Sequence, residues 1–382
     1  MWMAVYLLLS MFSISQSLQT YAHSDAKMMA ELQKLINPPE SSPDTFTWLG
    51  ADGATSVRWN STRYIWLFGD TILGRSLYPV RKPSAFLHNS VGIINNDSED
   101  GSPKWQPMVK YHKIDADGTP RPIFADLGYS KYVWPLSGVR VQDKLFIIGT
   151  VSDAHNKDLN VQGSIWLLVK NPEDTPNQWE YDAQEMPCTN SLLTWSSAIV
   201  LDDSSGWIYI YGEQMTTSAG SRKRAILCRI RPDDVLSMNW EKREYWSNNT
   251  WCTGDDCSLT GLPNFPPTSE TVITKSGNRS NWLMLQIPGM LSRELQVYKS
   301  GSLTGPWEVV MTRPLYLPWN SSNPDQFYFY AAKLHPEFSS NGKLIATYVI
   351  NAINGSFLWN VFPNPTYKSL YIPLFVELDT TA

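Results

Sequence analysis

The 382-residue chain has no surplus of positive charge: 31 Lys and Arg stand against 36 Asp and Glu, a formal net charge of −5. No basic run breaks that balance, which excludes nucleic-acid recognition, because neutralising phosphates needs a cationic face. Histidine is scarce, with five in all, and cysteine scarcer, with four. No histidine sits at zinc-ligand spacing from the cysteines. The Gly-x-Ser-x-Gly elbow, the HExxH helix, the phosphate-binding glycine loop and the EF-hand loop are all missing. So is the Asp-box pattern of six-bladed propellers. Beyond the N-terminus no stretch is apolar and long enough to span a bilayer.

What is present is a composition for a large core: 42% of residues are apolar and only 18% charged, outside the disordered range. Seventeen Trp and 18 Tyr supply large rings, most of them for packing and a few for sugar stacking. The start, with its apolar run AVYLLLSMFSI, reads as a signal peptide over residues 1–22. The absence of Lys or Arg before that run leaves a short uncleaved anchor as the alternative. Six N-x-Ser/Thr sequons, at Asn60, Asn96, Asn248, Asn278, Asn320 and Asn354, point to a secreted glycoprotein. The four cysteines fit an oxidising compartment. Cys252 and Cys257 bracket the short loop CTGDDC and are expected to pair, which leaves Cys188 for Cys228.

A repeat organises the rest. After a short helix expected over residues 23–39, an apolar strand recurs five times: YIWLFGDT, KLFIIGTV, WIYIYGEQ, WLMLQIPG and KLIATYVIN. The spacing is roughly 60 to 80 residues, that of a propeller blade with its loops. Ahead of each stands a run opening on small or polar residues: ATSVRW, LSGVRV, SSAIVLD, SETVITK and YAAKLHPE. Small residues suit an innermost strand crowded against an axis. Third strands follow as NSVGIIN, GSIWLLVK, RAILCRI, ELQVYKS and SLYIPLFVEL, and outer strands open on Trp105, Trp179, Trp240 and Trp307. The expected fold is all-β: one five-bladed β-propeller of four-stranded antiparallel blades over residues 40–382. TFTWLG, Thr45 to Gly50, is expected to complete the fifth blade and close the ring, which removes exposed sheet edges.

In such a ring a ligand binds at one mouth of the axis, among inner-strand starts and second-strand ends. Asp52 and Glu270 stand at inner-strand starts; Asp70 and Glu213 stand at second-strand ends. Two carboxyl groups across a sugar are what glycoside hydrolysis needs, with environments that separate their pKa values. Glu213, after the apolar IYIYG, is expected to be the proton donor. Asp52 and Asp70, near Arg58 and the amides of Gly53 and Gly69, are expected to stay ionised. The competing reading of each Asp is a turn cap, and of Glu270 an ion pair with Lys275 or Arg293. Trp134, Trp195 and Tyr330, at or before inner strands, are the sugar-stacking candidates. His335, Asn89 and Arg140 are further binding candidates. No cofactor is expected, although carboxylates with Gln286 and Asn351 offer the oxygen ligands that suit an axial calcium.

Together GADGATSVRW, YIWLFGDTILG, HNSVGI, YGEQ and YAAKLHPEF…GKLIATYVIN resemble an uncharacterised glycosidase-like propeller family, similar to five-bladed furanosidases that include endo-D-arabinan-cleaving enzymes. The resemblance runs from about Thr45 to Leu378. It implies a five-bladed fold with a carboxylate-lined axial pocket, and by motif position Asp52, Asp70, Glu213 and His335 within it. The CTGDDC loop and the dense sequons depart from that pattern. The expected function is therefore a secreted, monomeric glycoside hydrolase acting on a polysaccharide, a furanoside such as arabinan foremost. The alternatives are a non-catalytic lectin-like or adhesive propeller and a structural extracellular protein.

Overall fold

The computed structural model describes residues 28–379 apart from 43, 98–103, 126–130, 154–160, 187, 188, 190, 191, 216–222, 255–257, 269, 277–279, 290 and 340–342. The expected signal peptide, Cys188, Cys257 and Asn278 lie outside the described residues. Among them no helix is long and apolar enough to cross a membrane.

Five antiparallel sheets follow one another along the chain. Sheet 1 consists of Thr55–Arg58, Arg63–Phe68, Ser90–Asn95 and Val109–Tyr111; sheet 2 of Lys131–Val141, Lys144–Asp153, Val161–Val169 and Tyr181–Glu185. Sheet 3 runs Leu193–Asp202, Trp207–Met215, Lys223–Ile230, Glu244–Ser247 and Thr250–Thr253. Sheet 4 is Val272–Lys275, Trp282–Gln286, Glu294–Ser300 and Glu308–Pro314, and sheet 5 is Phe327–Leu334, Lys343–Ala352 and Leu374–Asp379.

The second strand of each sheet is apolar on both faces, and period-2 alternation sends its residues to different neighbours. Ile65 and Leu67 pack with Leu145, Ile147, Ile165 and Leu167 of sheet 2. Tyr64, Trp66 and Phe68 pack instead with Ile345 and Phe375 of sheet 5. Phe146 and Ile148 meet Ile208 and Ile210 of sheet 3, Tyr209 and Tyr211 meet Met284 of sheet 4, and Leu283 and Leu285 meet Phe329 and Leu344 of sheet 5. Each core cluster is thus shared by two of these five sheets, and one joins the last sheet to the first. Trp179, Trp240 and Trp307, each just ahead of an outer strand, are buried in these clusters.

The inner strands are tied to one another by polar bonds. Thr55 Oγ1 donates to Leu136 O at 2.7 Å, Ile199 N to Ser137 Oγ at 3.3 Å and Thr271 N to Ser197 O at 3.1 Å. Ser56 Oγ lies 2.6 Å from His335 Nδ1. Lys333 Nζ reaches from sheet 5 to Leu136 O of sheet 2 at 3.1 Å. The small residues expected at inner-strand starts leave room for these approaches.

Three expectations fail here: sheet 3 has five strands and sheet 5 three where four were expected in each, and two further ones follow. The segment Thr47–Ala51 does not complete sheet 5; it pairs with Thr71–Leu77, which pairs with Val80–Leu87, as a separate three-stranded sheet. The hairpin that follows Asp70 offers this segment an open edge close in sequence, and Leu49 and Ile72 bury together there. Cys228 is a free buried thiol, so it does not pair with Cys188. It lies inside the core between sheets 2 and 3. Cys252 is disulfide-bonded, to a partner outside the described residues.

The helix occupies 28–36 and buries Leu32, Leu35 and Ile36 against Trp48 and Leu73. Among the sequons, Asn248, Asn320 and Asn354 are exposed and Asn60 is partly so. Asn96 is buried, its Oδ1 accepting from Lys104 N at 2.8 Å, a poor glycan acceptor.

Candidate active site

The site begins with two turns that hold each other. Asp52 N donates to Asp70 O at 3.1 Å and Gly69 N donates to Asp52 O at 3.0 Å. Gly53 has φ 78° and Ala54 φ 31°, the left-handed backbone that glycine adopts without strain. A Cβ on Gly69 would lie 2.4 Å from Asp52 Oδ1, so only glycine lets the carboxyl come this close. The sequences GADG and FGDT therefore place Asp52 and Asp70 side by side.

Sheets 2, 4 and 5 close around them. Asp52 Oδ2 accepts from Tyr330 OH at 2.8 Å and from Tyr371 OH at 3.2 Å. Burial, followed by the charges of Asp70 and Glu270, holds the Asp52 carboxyl well above the usual range, and the two tyrosine bonds offset only part of that. Asp70 Oδ1 accepts from Trp134 Nε1 at 2.6 Å and from His88 Nδ1 at 2.9 Å. The His88 ring stacks on Tyr132 with centroids 3.4 Å apart. Asn351 Nδ2 donates to Tyr328 OH at 3.2 Å and Tyr330 OH at 3.3 Å.

Below lies a cation. Lys333 is fully buried, 3.7 Å from Glu270 Oε2. Burial lowers its pKa, while Glu270 and Asp52 oppose the change. Bulges aim these groups: the register slips between Tyr330 and Lys333, with Ala331 at φ 52°, and between Pro135 and Ser137 just after Trp134. Bulges next to a site commonly re-aim side chains in this way.

Of the residues singled out from sequence, Asp52, Asp70, Glu270, Trp134 and Tyr330 come together. Glu270 pairs with Lys333, not with Lys275 or Arg293, which pair with Asp202 and Asp325. Asp52, expected to stay ionised, is the carboxyl pushed up. Glu213, expected to be the proton donor, is buried and ion-paired with Lys223 at 2.9 Å. Asn89 is a structural pin, donating to Phe124 O and Val133 O at 3.0 Å each and accepting from Phe124 N. Arg140 sits at the far end of its strand, stacked over Trp59 and bonded to Trp59 O and Gln142 O. Trp195 is buried in the core between sheets 2 and 3, near Tyr245.

His335 is fully buried between Ser56 and Thr347 Oγ1 at 2.8 Å, under Trp66 at 4.6 Å between ring centroids, and it faces no opening that these contacts leave. Of the oxygens proposed for an axial calcium, Asn351 Oδ1 accepts from Ala352 N at 2.7 Å, and the Gln286 amide donates to Tyr298 OH at 3.1 Å. Among the described residues no group of three His, Cys, Asp or Glu could hold a metal.

Sequence reasoning missed His88, Tyr371, Tyr328 and Lys333. His88 was within reach, since it directly precedes the Asn89 singled out in LHNSVGI, in the two-residue connection between the strands Val80–Leu87 and Ser90–Asn95. Tyr371 and Lys333 carry no such local signal.

Residues 44–380 match the family described as "Domain of unknown function (DUF5005)". Among solved structures, a Bacteroides ovatus protein provisionally described as a hydrolase is similar at 17% identity, over 87% of this chain and 86% of that one, with a TM-score of 0.64. At that identity the likeness concerns the fold. A GH43_1 enzyme from Xanthomonas citri, solved with xylose, aligns at 11% identity over 91% and 92% of the two chains, with a TM-score of 0.47. No curated protein matches.

Proposed function

Because the chain belongs to this family of unknown function, we propose its activity from the site itself: glycoside hydrolysis at the mouth of a five-bladed propeller. The observation that carries this reading is the pairing of a half-buried, raised carboxyl on Asp52 with a hydrogen-bonded carboxylate on Asp70. Two carboxyl groups in unlike settings divide the work: one gives a proton to the leaving oxygen, the other activates water or attacks the anomeric carbon. Asp52 takes the first role and Asp70 the second, with Trp134 and His88 fixing its orientation. Lys333, beside Glu270, tempers the negative charge beneath them.

The closed ring is supported by the five core clusters, one of which joins sheet 5 to sheet 1. The furanoside preference, arabinan foremost, rests on the sequence resemblance. Secretion as a monomeric glycoprotein rests on the N-terminal apolar run and the sequons. A second reading, a lectin-like propeller, is favoured by one observation: Glu213 and Glu270 are both paired with lysines.

Product analysis on a polysaccharide panel tests the choice. Released oligosaccharides, lost in Asp52→Asn and in Asp70→Asn, are the expected result. Loss in Glu213→Gln with a full rate in Asp52→Asn would return the proton donor to sheet 3. No product from any polysaccharide, alongside measurable glycan binding, would leave the lectin.

A further inference from the structure

Lys333 reaches its place by a change of face. Along Phe327–Leu334, Phe327 and Phe329 enter the core between sheets 4 and 5, and so do Ala332 and Leu334. Odd positions supply that core before the bulge and even positions after it, as a one-residue slip requires. Without the slip Lys333 would follow Phe329 into the core. With it, Lys333 falls on the face of Tyr328 and Tyr330, whose rings stand 5.1 Å apart. The slip holds Ala331 at φ 52°, a left-handed backbone that a residue with a Cβ adopts under strain.

A second bulge meets the ammonium. In sheet 2 the register passes from Pro135 to Ser137 and leaves Leu136 without a ladder partner. Its carbonyl accepts from Lys333 Nζ at 3.1 Å and from Thr55 Oγ1 at 2.7 Å. An ammonium has three donors, yet the nearest carboxyl oxygen, Glu270 Oε2, stands at 3.7 Å, beyond hydrogen-bond length. That oxygen is buried and accepts from no group among the described residues. A buried charge kept for cohesion has its bonds filled, as both nitrogens of the neutral His335 are. What Lys333 brings is its charge. Asp52, Asp70 and Glu270 gather at the mouth, and among the described residues no other lysine or arginine pairs with them.

We propose that Lys333 is a positioning residue of the carboxyl cluster: its charge, set against that of Glu270, fixes the pH range over which Asp52 holds its proton. The inference rests on the reading of Asp52 as proton donor and deepens it. Asp52 meets Tyr330 and Tyr371 by hydrogen bonds and Asp70 and Glu270 by charge. His88 reaches the cluster only through Asp70. On its other side Lys333 faces His335, which burial and then Lys333 itself pull down to about 3 and so keep neutral. Burial works against the charge on Lys333, and Glu270 and then Asp52 sustain it. By the same coupling, the charge on Lys333 favours the ionised form of Asp52.

The test reads Asp52 directly, by carboxyl carbon NMR of the full chain with labelled aspartate; its resonance is the one lost in Asp52→Asn. Removing a cation raises the pKa of a neighbouring carboxyl, and removing an anion lowers it. In Lys333→Met the Asp52 midpoint is expected to move up by about one pH unit, opposite to its movement in Glu270→Gln. In the double variant the two displacements oppose each other. The basic limb of the cleavage profile is expected to follow the midpoint, which a purely structural lysine would not move. A midpoint that stays in place in Lys333→Met, or a double variant that titrates as Glu270→Gln does, would overturn the proposal. The second comparison stands even if Glu270, left unpaired in Lys333→Met, prevents folding, since the double variant carries neither charge. The two readings separate cleanly. A midpoint that moves in a chain cleaving no glycan sinks the hydrolase alone, and cleavage with an unmoved midpoint sinks the positioning role alone.

Discussion

Two polar clusters tie sheet 5 to sheet 1 and to the turn that precedes it, and only four residues separate Tyr330 from His335. At the mouth, Tyr330 binds Asp52; further along, His335 binds Ser56. Both hold titratable groups, half-buried at the mouth and fully buried at His335, yet they are opposite in kind. At the mouth, carboxyls crowd one another and are opposed by like charge. At the seam, both ring nitrogens of His335 have hydroxyl partners, and Trp66 covers the ring. Like-charge crowding is costly and suits chemistry; a fully satisfied buried network suits cohesion. The same strand therefore supplies a site at one end and a fastening at the other.

Breaking each cluster separates the two roles. Asp52→Asn is expected to lower kcat/KM on the cleaved glycan by about 10²- to 10⁴-fold, the worth of a general acid, without lowering Tm, because it replaces a carboxyl that burial already disfavours as an anion. His335→Ala is expected to do the reverse. Stability falls by about 2–5 kcal/mol from a cavity and stranded hydroxyls, read by chemical denaturation, while KM below the unfolding transition stays the same.

A finer test is pH. As the proton donor, Asp52 must be protonated, so activity falls as pH rises through its raised pKa. Glu270→Gln removes one of the charges that raise it. The basic limb of the rate profile is then expected to move to lower pH, by about a unit or less. A limb that stays in place would remove Glu270 from the cluster.

The smallest effect lies at the seam. Burial pushes Glu337 up to about 7, offset in part by a bond from Ser56, and burial pulls His335 down to about 3. A carboxyl raised on folding stabilises fully below its unfolded pKa and loses that contribution as pH climbs to about 7. A histidine lowered on folding behaves oppositely: its contribution is present above its unfolded pKa and lost as pH falls toward about 3. Between the two unfolded values, roughly pH 4.5 to 6.5, the slopes oppose. Glu337→Gln leaves the histidine alone, so Tm is expected to rise with pH across that window, where the unmodified protein stays flatter. A variant as flat as the unmodified protein would place the balance elsewhere.

Much of this was legible. The inner and second strands fell where the recurring runs put them, because a strand buried on both faces must be apolar throughout and an inner strand must be small. That Asp52, Asp70, Glu270, Trp134 and Tyr330 come together was legible because equivalent positions in different sheets lie at the same end of their strands. Trp195 shows the limit. It stands near the start of its inner strand much as Trp134 does, but packs into the core beside Tyr245, since the bulge in its strand falls between Thr194 and Ala198. Glu213 shows it again: its apolar run is visible, but Lys223, which neutralises it, belongs to the next strand.

The sequence by itself determined an all-β chain of recurring strand sets and the two turns whose glycines bring Asp52 beside Asp70, because alternation and backbone freedom are local properties. Tertiary structure alone decided that Thr47–Ala51 pairs with the hairpin strand Thr71–Leu77 instead of sheet 5, that His335 fastens instead of binding, and that Lys333, Tyr371 and His88 surround the carboxyls. Edges, partners and burial are set by residues far apart in the chain, and no short stretch of sequence records which of them will meet.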